Sequence, residues 1–347
     1  MIEAEFVTIM VAKDAFARWR RTARGGGGGP QGAVSRRSES IDRFRAALAR
    51  WYSGLMTVAA LFRYPVKSML GESLSHAVLD ERGVVGDRAY ALLDVESGVV
   101  ASAKVPKRWA DLMRFSAAFV EEPTPGEAPP PVEITFPDGS TRRSDDPEID
   151  HALSASLGRE VKLIAVLPEG GAFEELWPEI EGLGPDEIIE ATTARREDTG
   201  EAISRFDVAA FAPPGRFYDL AALHVLTEST LARLRELAPD SEFDARRYRP
   251  NVVLADTEPG FVENDWPGRE MTLGGDVRLS YSFNTMRCVM TTLAQDDLVE
   301  DRDILRTVAR NNRIHIDKAE VRGVWACAGV YADVSAGGEL AVGDAHA

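Results

Sequence analysis

At 347 residues the chain is long enough for two domains or one large one, and 44% hydrophobic against 28% charged residues is an ordinary globular balance. A formal net charge of −16 repels nucleic acid unless a local basic patch opposes the mean. Two cysteines, Cys288 and Cys327, exclude a disulfide scaffold and an all-cysteine zinc or iron–sulfur site within this chain.

No apolar run approaches the roughly 20 residues of a membrane span. Glu3 and Glu5 stand where a secretory signal would carry a basic region. A cytoplasmic location, with neither membrane nor nucleic acid as a partner, is the expectation. Residues 1–55 read as a flexible extension. Val11–Arg24 and Ser35–Tyr52 have short helical patterns, but Gly25–Gly29 and Pro30 separate them, and polyglycine buries no apolar surface. Met56 opens a better-organised stretch and is a candidate start of the protein.

From Met56 the signals are mostly β. Thr57–Tyr64 alternates and meets Pro65, and Leu74–Leu79 precedes the turn Asp80-Glu81-Arg82-Gly83. Arg88–Asp94 and Val99–Ala103 flank Glu96-Ser97-Gly98 as a hairpin, and Val132–Phe136 and Ser140–Arg143 flank Pro137-Asp138-Gly139 as another. Glu121–Pro131 reads as an exposed loop, Pro147–Leu157 as a helix capped by Asp146, and Val161–Val166 as a strand. After an acidic loop at Glu197–Glu201, His224-Val225-Leu226 leads to Thr227, the N-cap of a helix through about Leu237. Arg246–Arg249 carries three arginines into a strand, and Gly274–Ser282 reads as a strand pair. Tyr281–Leu293 reads as one or two short strands, Asp303–Asn311 as a helix, and Val321–Val334 as a strand with a glycine bend.

Three groups carry chemistry. Cys288 follows Arg287, and a thiol beside a guanidinium is expected to have a lowered pKa, as a nucleophile or soft metal ligand. A buried Cys acting as a small hydrophobe is the competing reading. Lys67 and Ser68 follow a proline-ended strand, and Arg88 opens another; together they suit an anion, though singly each reads as a surface group. The N-terminus of the helix after Thr227 also suits a phosphate. His224 reads as structural, with a base or ligand role as the alternative, and the other histidines lack metal-ligand spacing. Cys327, among Trp325, Ala326, Ala328 and Val330, reads as a core residue.

Five stretches occur in an order that resembles the MOSC proteins, named for the C-terminal domain of molybdenum cofactor sulfurase. They are Tyr64-Pro65-Val66-Lys67-Ser68, Gly86-Asp87-Arg88, Arg249-Pro250-Asn251-Val252-Val253, Arg287-Cys288-Val289-Met290-Thr291-Thr292 and Gly338-Glu339-Leu340-Ala341-Val342-Gly343-Asp344. The resemblance runs from about Met56 to the C-terminus and is to members with an N-terminal β-barrel subdomain, such as the mitochondrial amidoxime reducing component and its bacterial relatives. It implies a β-rich α+β fold, with the N-terminal barrel-like subdomain over 56–170 and the MOSC β-barrel over 190–345.

The resemblance further implies molybdenum–molybdopterin as cofactor, with Cys288 as catalytic residue and metal ligand. Lys67, Ser68, Arg88, Asp219, Leu220, Ala221, Arg249, Asn251, Met286 and Arg287 fall at positions that hold the cofactor. Asp219-Leu220-Ala221 replaces a more hydroxyl-rich loop, Met286 replaces a Ser common before the Arg-Cys pair, and Ala294 stands where an Asp often follows the two Thr. The implied activity is an oxidoreductase that reduces N-hydroxylated or related N- or S-oxygenated small molecules. Electrons would come from a separate ferredoxin- or flavin-type reductase. A non-catalytic cofactor carrier and a sulfur carrier using Cys288 are the alternatives.

Overall fold

A computed structural model of the protein describes residues 56–255 and 259–346. The extension and its two expected helices lie outside the described residues.

Seven strands close into a barrel. Around the ring they run Leu223–Thr227, Val252–Ala255, Met56–Arg63, Ala345–His346, Glu270–Leu273, Val277–Met286 and Gly323–Ala336, which returns to Leu223–Thr227. Closure leaves these strands no free edge. Every contact around the ring is antiparallel except that between Leu223–Thr227 and Val252–Ala255. The alternation along Val277–Met286 follows from the pleat: Val277, Leu279 and Tyr281 are buried, and Arg278 is exposed. With Val58, Leu61, Leu223, Val225, Leu254 and Val330 they form one apolar cluster. The strand Met56–Arg63 thus comes from the first of the two expected segments yet is a stave of the barrel that the second supplies.

A six-stranded sheet accompanies the barrel, ordered Val161–Ile164, Ala91–Asp94, Val99–Val100, Ala172–Trp177, Ala202–Asp207 and Thr193–Arg196. Its cluster joins Leu92, Leu176 and Ile203 to Ala117, Val132 and Ile134 of a three-stranded sheet, Ser116–Phe119, Val132–Thr135 and Thr141–Arg143. Two further crossings bind the ends of the chain together. Gly338–Ala341 pairs with His76–Asp80, and Gly343 donates its N–H to the Val58 carbonyl at 2.8 Å.

Both expected hairpins form, in shorter strands than expected. The helix Glu228–Leu237 starts at Thr227, whose hydroxyl accepts the Thr230 N–H at 3.1 Å. Four readings need correction. Leu74–Leu79 is broken at Ser75 into Glu72–Leu74 and His76–Asp80, because the first part pairs with Met56–Arg63 and the second with Gly338–Ala341. The helix after Asp146 begins at Ile149, and Asp146 accepts the Glu148 N–H at 2.9 Å without capping the helix itself. The three arginines do not run directly into a strand: Ala245–Tyr248 is a helical turn, and Arg249 reverses the chain in the left-handed region, φ 54°. The strand through Tyr281 stops at Met286, and Val289–Thr292 is a 3-10 turn held by the hydroxyls of Thr291 and Thr292, which donate to the Cys288 and Val289 carbonyls. The segment Ala172–Asp207, read only as an acidic loop at Glu197–Glu201, contains three strands and the helix Asp186–Thr192.

Candidate functional site

The barrel and the six-stranded sheet enclose a cavity between them. Lys67, Ser68, Arg88, Asp219, Leu220, Ala221, Arg249, Asn251, Met286, Arg287 and Cys288 all line it, although they are scattered over more than two hundred residues of sequence.

The segments Tyr64–Ser68 and Gly86–Tyr90 lie side by side. Arg88 N–H donates to the Tyr64 carbonyl at 2.8 Å, Lys67 N–H to the Tyr90 carbonyl at 2.9 Å, and Tyr64 N–H to buried Asp87 at 2.8 Å. Tyr64 sits under two guanidinium groups, Arg88 at 4.4 Å and Arg249 at 4.2 Å from its ring centre. Burial and the nearby Arg88 charge lower the Arg249 pKa to about 10, which still leaves it charged at neutral pH. Arg88 is neutralised by Asp87, while Arg249 donates to the Met69 carbonyl at 2.8 Å.

The backbone is under tension at the same place. Among the described residues four non-glycine positions have positive φ, and three of them are Ser68 at 65°, Arg88 at 47° and Arg249 at 54°. Each such residue costs about 1–3 kcal/mol, which persists only where the surroundings over-determine it. Here that cost aims two arginines and a serine at one cavity.

The loop after Phe217 is pinned to this cradle. Phe217 N–H donates to the Arg88 carbonyl at 2.9 Å, and Lys67 Nζ donates to the Phe217 carbonyl at 2.9 Å and to the Asp219 carboxylate. Lys104 completes a buried network, with Nζ 2.8 Å from Glu175 Oε2 and 3.2 Å from Asp219 Oδ2. Burial opposes the Lys104 charge, but Asp219 and Glu175 outweigh it and hold the ammonium well above its ordinary pKa. For Asp219 burial is likewise outweighed, by Lys104 and Lys67, and the carboxyl is held well below its ordinary range. Lys104 is a fixed charge here, not a proton donor.

On the barrel side, Arg287 donates to the Tyr248 carbonyl at 2.8 Å and lies 3.5 Å from His224 Nε2. Burial, with Arg287 adding to it, pushes the His224 pKa well down, so the imidazole is neutral. Its position is enforced by Gly329, where a Cβ would stand 2.3 Å from His224 Nε2. Asn251 lines the cavity beside Arg249, its amide accepting the His224 backbone N–H at 3.2 Å and donating to the Phe62 carbonyl at 3.4 Å.

Cys288 is half-buried in extended backbone just before the 3-10 turn. The expectation of a lowered thiol pKa fails. Burial raises it, and the opposing charges of Lys104 and Arg287 do not overcome that. Arg287, the neighbour expected to act most strongly, turns its guanidinium to Tyr248 and His224. Cys327, by contrast, is fully buried in the core, and burial pushes its pKa up to about 12.

Several lining residues escaped the sequence reading. Lys104 stands alone in the apolar run Val99–Val105, and Glu175 stands in Ala172–Trp177; a charge inside an apolar strand was the available signal. His224, expected to be structural with a base or ligand role as the alternative, is also among the lining residues. The N-terminus of Glu228–Leu237, expected to suit a phosphate, lies off the cavity, and its first turn is capped by Thr227, itself bonded to Glu263 at 2.8 Å.

Five cations, Lys67, Arg88, Lys104, Arg249 and Arg287, therefore line this cavity, against the lining carboxylates Asp219 and Glu175 and against Asp87 beside Arg88. A chain of net charge −16 has concentrated positive charge in one place, and the natural occupant is an anion. Among the described residues no group of three or more His, Cys, Asp or Glu side chains is arranged to hold a metal ion. Arg287 Nε is in addition a buried donor with no partner in the protein.

Comparison with known proteins agrees with this architecture. The family model of the MOSC domain matches residues 214–346, and that of the MOSC N-terminal beta barrel domain matches residues 55–123. A solved structure, the YuaD protein from Bacillus subtilis, aligns over 84% of this chain and 94% of its own at 8% identity and a TM-score of 0.37, a likeness too slight to carry an argument. Comparison with curated proteins finds no match. MOSC domains are associated with the molybdenum cofactor. With both models matched in order, along a chain whose strands close a barrel beside a basic cavity, the protein belongs to the MOSC domain family.

Proposed function

We propose that the cavity binds a molybdenum–molybdopterin cofactor with Cys288 as the protein's ligand to the metal. On this reading the chain is an oxidoreductase that reduces N-hydroxylated or related N- or S-oxygenated small molecules. The observation that carries the reading is the meeting of five cations and one half-buried thiol on a single cavity in an acidic protein.

The donor set suits the group. Arg88 and Arg249 offer planar forks to a phosphate, and Lys67 an amine donor. A soft thiolate suits molybdenum better than any hydroxyl or carboxylate on the cavity. When bound, the molybdenum would supply the two-electron chemistry. The chain's own residues position, charge and enclose. Lys104, locked to Asp219 and Glu175, sets a fixed positive charge, Lys67 bonds the same Asp219 although burial lowers its pKa, and neutral His224 beside Arg287 is a hydrogen-bonding wall that adds no charge. Reduction of an N-hydroxyl group consumes two electrons and two protons and releases water. With two cysteines the chain cannot hold a four-cysteine iron–sulfur cluster, so the electrons come from a separate ferredoxin- or flavin-type reductase.

The test is metal analysis of the full chain purified from cells that make the cofactor, with an assay of amidoxime reduction driven by an artificial electron donor. About one molybdenum per chain with turnover supports the enzyme. Molybdenum without turnover makes the protein a carrier, and sulfane sulfur on Cys288 without molybdenum makes it a sulfur carrier. Either would overturn the reading.

A further inference from the structure

Part of the cavity is not explained by an anionic cofactor. Phe173, Trp177, Ile188, Phe206 and Phe211 also line it, and all five lie between residues 123 and 214, in the stretch that neither family model matches. Phe173 and Trp177 are buried, whereas Ile188, Phe206 and Phe211 are only half-buried.

These side chains are contiguous. Phe206 packs against Phe173 at 5.6 Å between ring centres and against Phe211 at 6.4 Å, and Trp177 packs on Trp325 at 5.6 Å. The run meets the cationic cradle at Phe173, where Lys67 and Lys104 lie 4.8 and 5.2 Å from its ring centre. Cations on a ring face leave its other contacts to apolar partners. The one charged lining residue from this stretch, Glu175, is already paired with Lys104 at 2.8 Å, so this wall offers no free charge to a ligand. Large apolar side chains left half-exposed at the rim of a polar cavity are what a flat, uncharged ring covers most favourably.

Resting on the reading above, we propose that the stretch from Ala172 to Phe211 is the specificity-determining wall of this protein and selects substrates with a neutral aromatic body. Phe206 and Phe211 contact that body, while the reducible group reaches past Phe173 toward Cys288.

The experiment compares benzamidoxime with acetamidoxime, which share the reducible group and differ in the ring. The proteins are the cofactor-loaded parent, Phe211→Ala and the milder Phe206→Leu, each checked by circular dichroism for native folding. Dissociation constants come from calorimetry, and kcat/KM from the reductase assay. The parent should prefer benzamidoxime, and in Phe211→Ala its Kd should weaken about tenfold, with the kcat/KM ratio of benzamidoxime to acetamidoxime falling by a similar factor through KM. Phe206→Leu should move both in the same direction by less. A parent that does not prefer benzamidoxime, or two folded variants with parental Kd values, would overturn the proposal. Binding with that preference but no turnover of either compound would sink the reductase reading and leave the aromatic wall standing.

Discussion

The two walls of the cavity are built on opposite plans. The cradle of Lys67, Ser68, Arg88, Arg249 and Arg287 is buried apart from half-buried Arg88, its cations are bonded to backbone carbonyls and carboxylates, and it holds three residues in left-handed backbone conformations. The wall of Phe206, Phe211 and Ile188 is half-exposed, apolar and free of backbone strain. A site that must grip one group in one orientation can use stored strain and fixed charge. A site that meets varied substrates is better served by broad apolar contact. The cradle comes from the family-matched segments and the wall mostly from the stretch between them, so the fixed task and the variable task are written in different parts of the chain.

The comparison breaks most visibly if the cradle's charges are not interdependent. Asp219 binds Lys67 and Lys104 together, so Asp219→Asn leaves two buried ammonium groups undercompensated and should cost about 3–5 kcal/mol in chemical denaturation. The carboxyl pKa is held below its unfolded value, so this stabilisation is full above the ordinary carboxylate pKa and lost as the pH falls below about 4. The parent should therefore lose stability on acidification across that range more steeply than Asp219→Asn does. Equal slopes would mean that the network is ornamental.

Next in size is the effect on ligand holding. Arg249→Ala should lower molybdenum occupancy on the order of ten- to a hundredfold, the equivalent of one charge-assisted hydrogen bond. Because Arg249 sits at φ 54°, Arg249→Gly should lose occupancy equally but retain about 1 kcal/mol more stability than Arg249→Ala. Full loading in both variants would make the arginine an ordinary structural residue. A smaller effect distinguishes the opposite wall. A Cβ at Gly184 would stand 2.4 Å from the Trp325 ring, so Gly184→Ala should shift that ring. Binding of an aromatic amidoxime should weaken a few-fold while molybdenum occupancy keeps its parental value. A loss of molybdenum instead would show that the two walls are one mechanical unit.

The same division explains what could be read from the sequence. Lys67, Arg88 and Arg249 stand within two residues of a proline or glycine and Cys288 beside Arg287, and strands close to them, such as Val277–Met286, alternate, so these residues and the barrel were legible. Ala172–Trp177 was not, because Glu174 and Glu175 interrupt its alternation and its partners Ala202–Asp207 and Val99–Val100 lie far along the chain. Lys104 fell one residue past the expected end of a strand. The thiol of Cys288 was misjudged for a related reason. Adjacency in sequence to Arg287 is not contact in space, and burial, which no local pattern shows, outweighed the neighbouring charge.

The claim at the centre of this account is that the one half-buried thiol of the cavity ligates the metal. It is tested most directly by loading Cys288→Ser and Cys327→Ser with cofactor and recording their absorption spectra and amidoxime reduction beside the parent. Cys288→Ser should lose the sulfur-to-metal bands and turnover while unfolding within about 1.5 kcal/mol of the parent, since the volume barely changes. Cys327→Ser should keep the parental bands and activity per folded molecule but lose stability, because a hydroxyl is buried in the core. A Cys288→Ser protein with the parent's spectrum and turnover would contradict the account, and the metal would have to be held by something else.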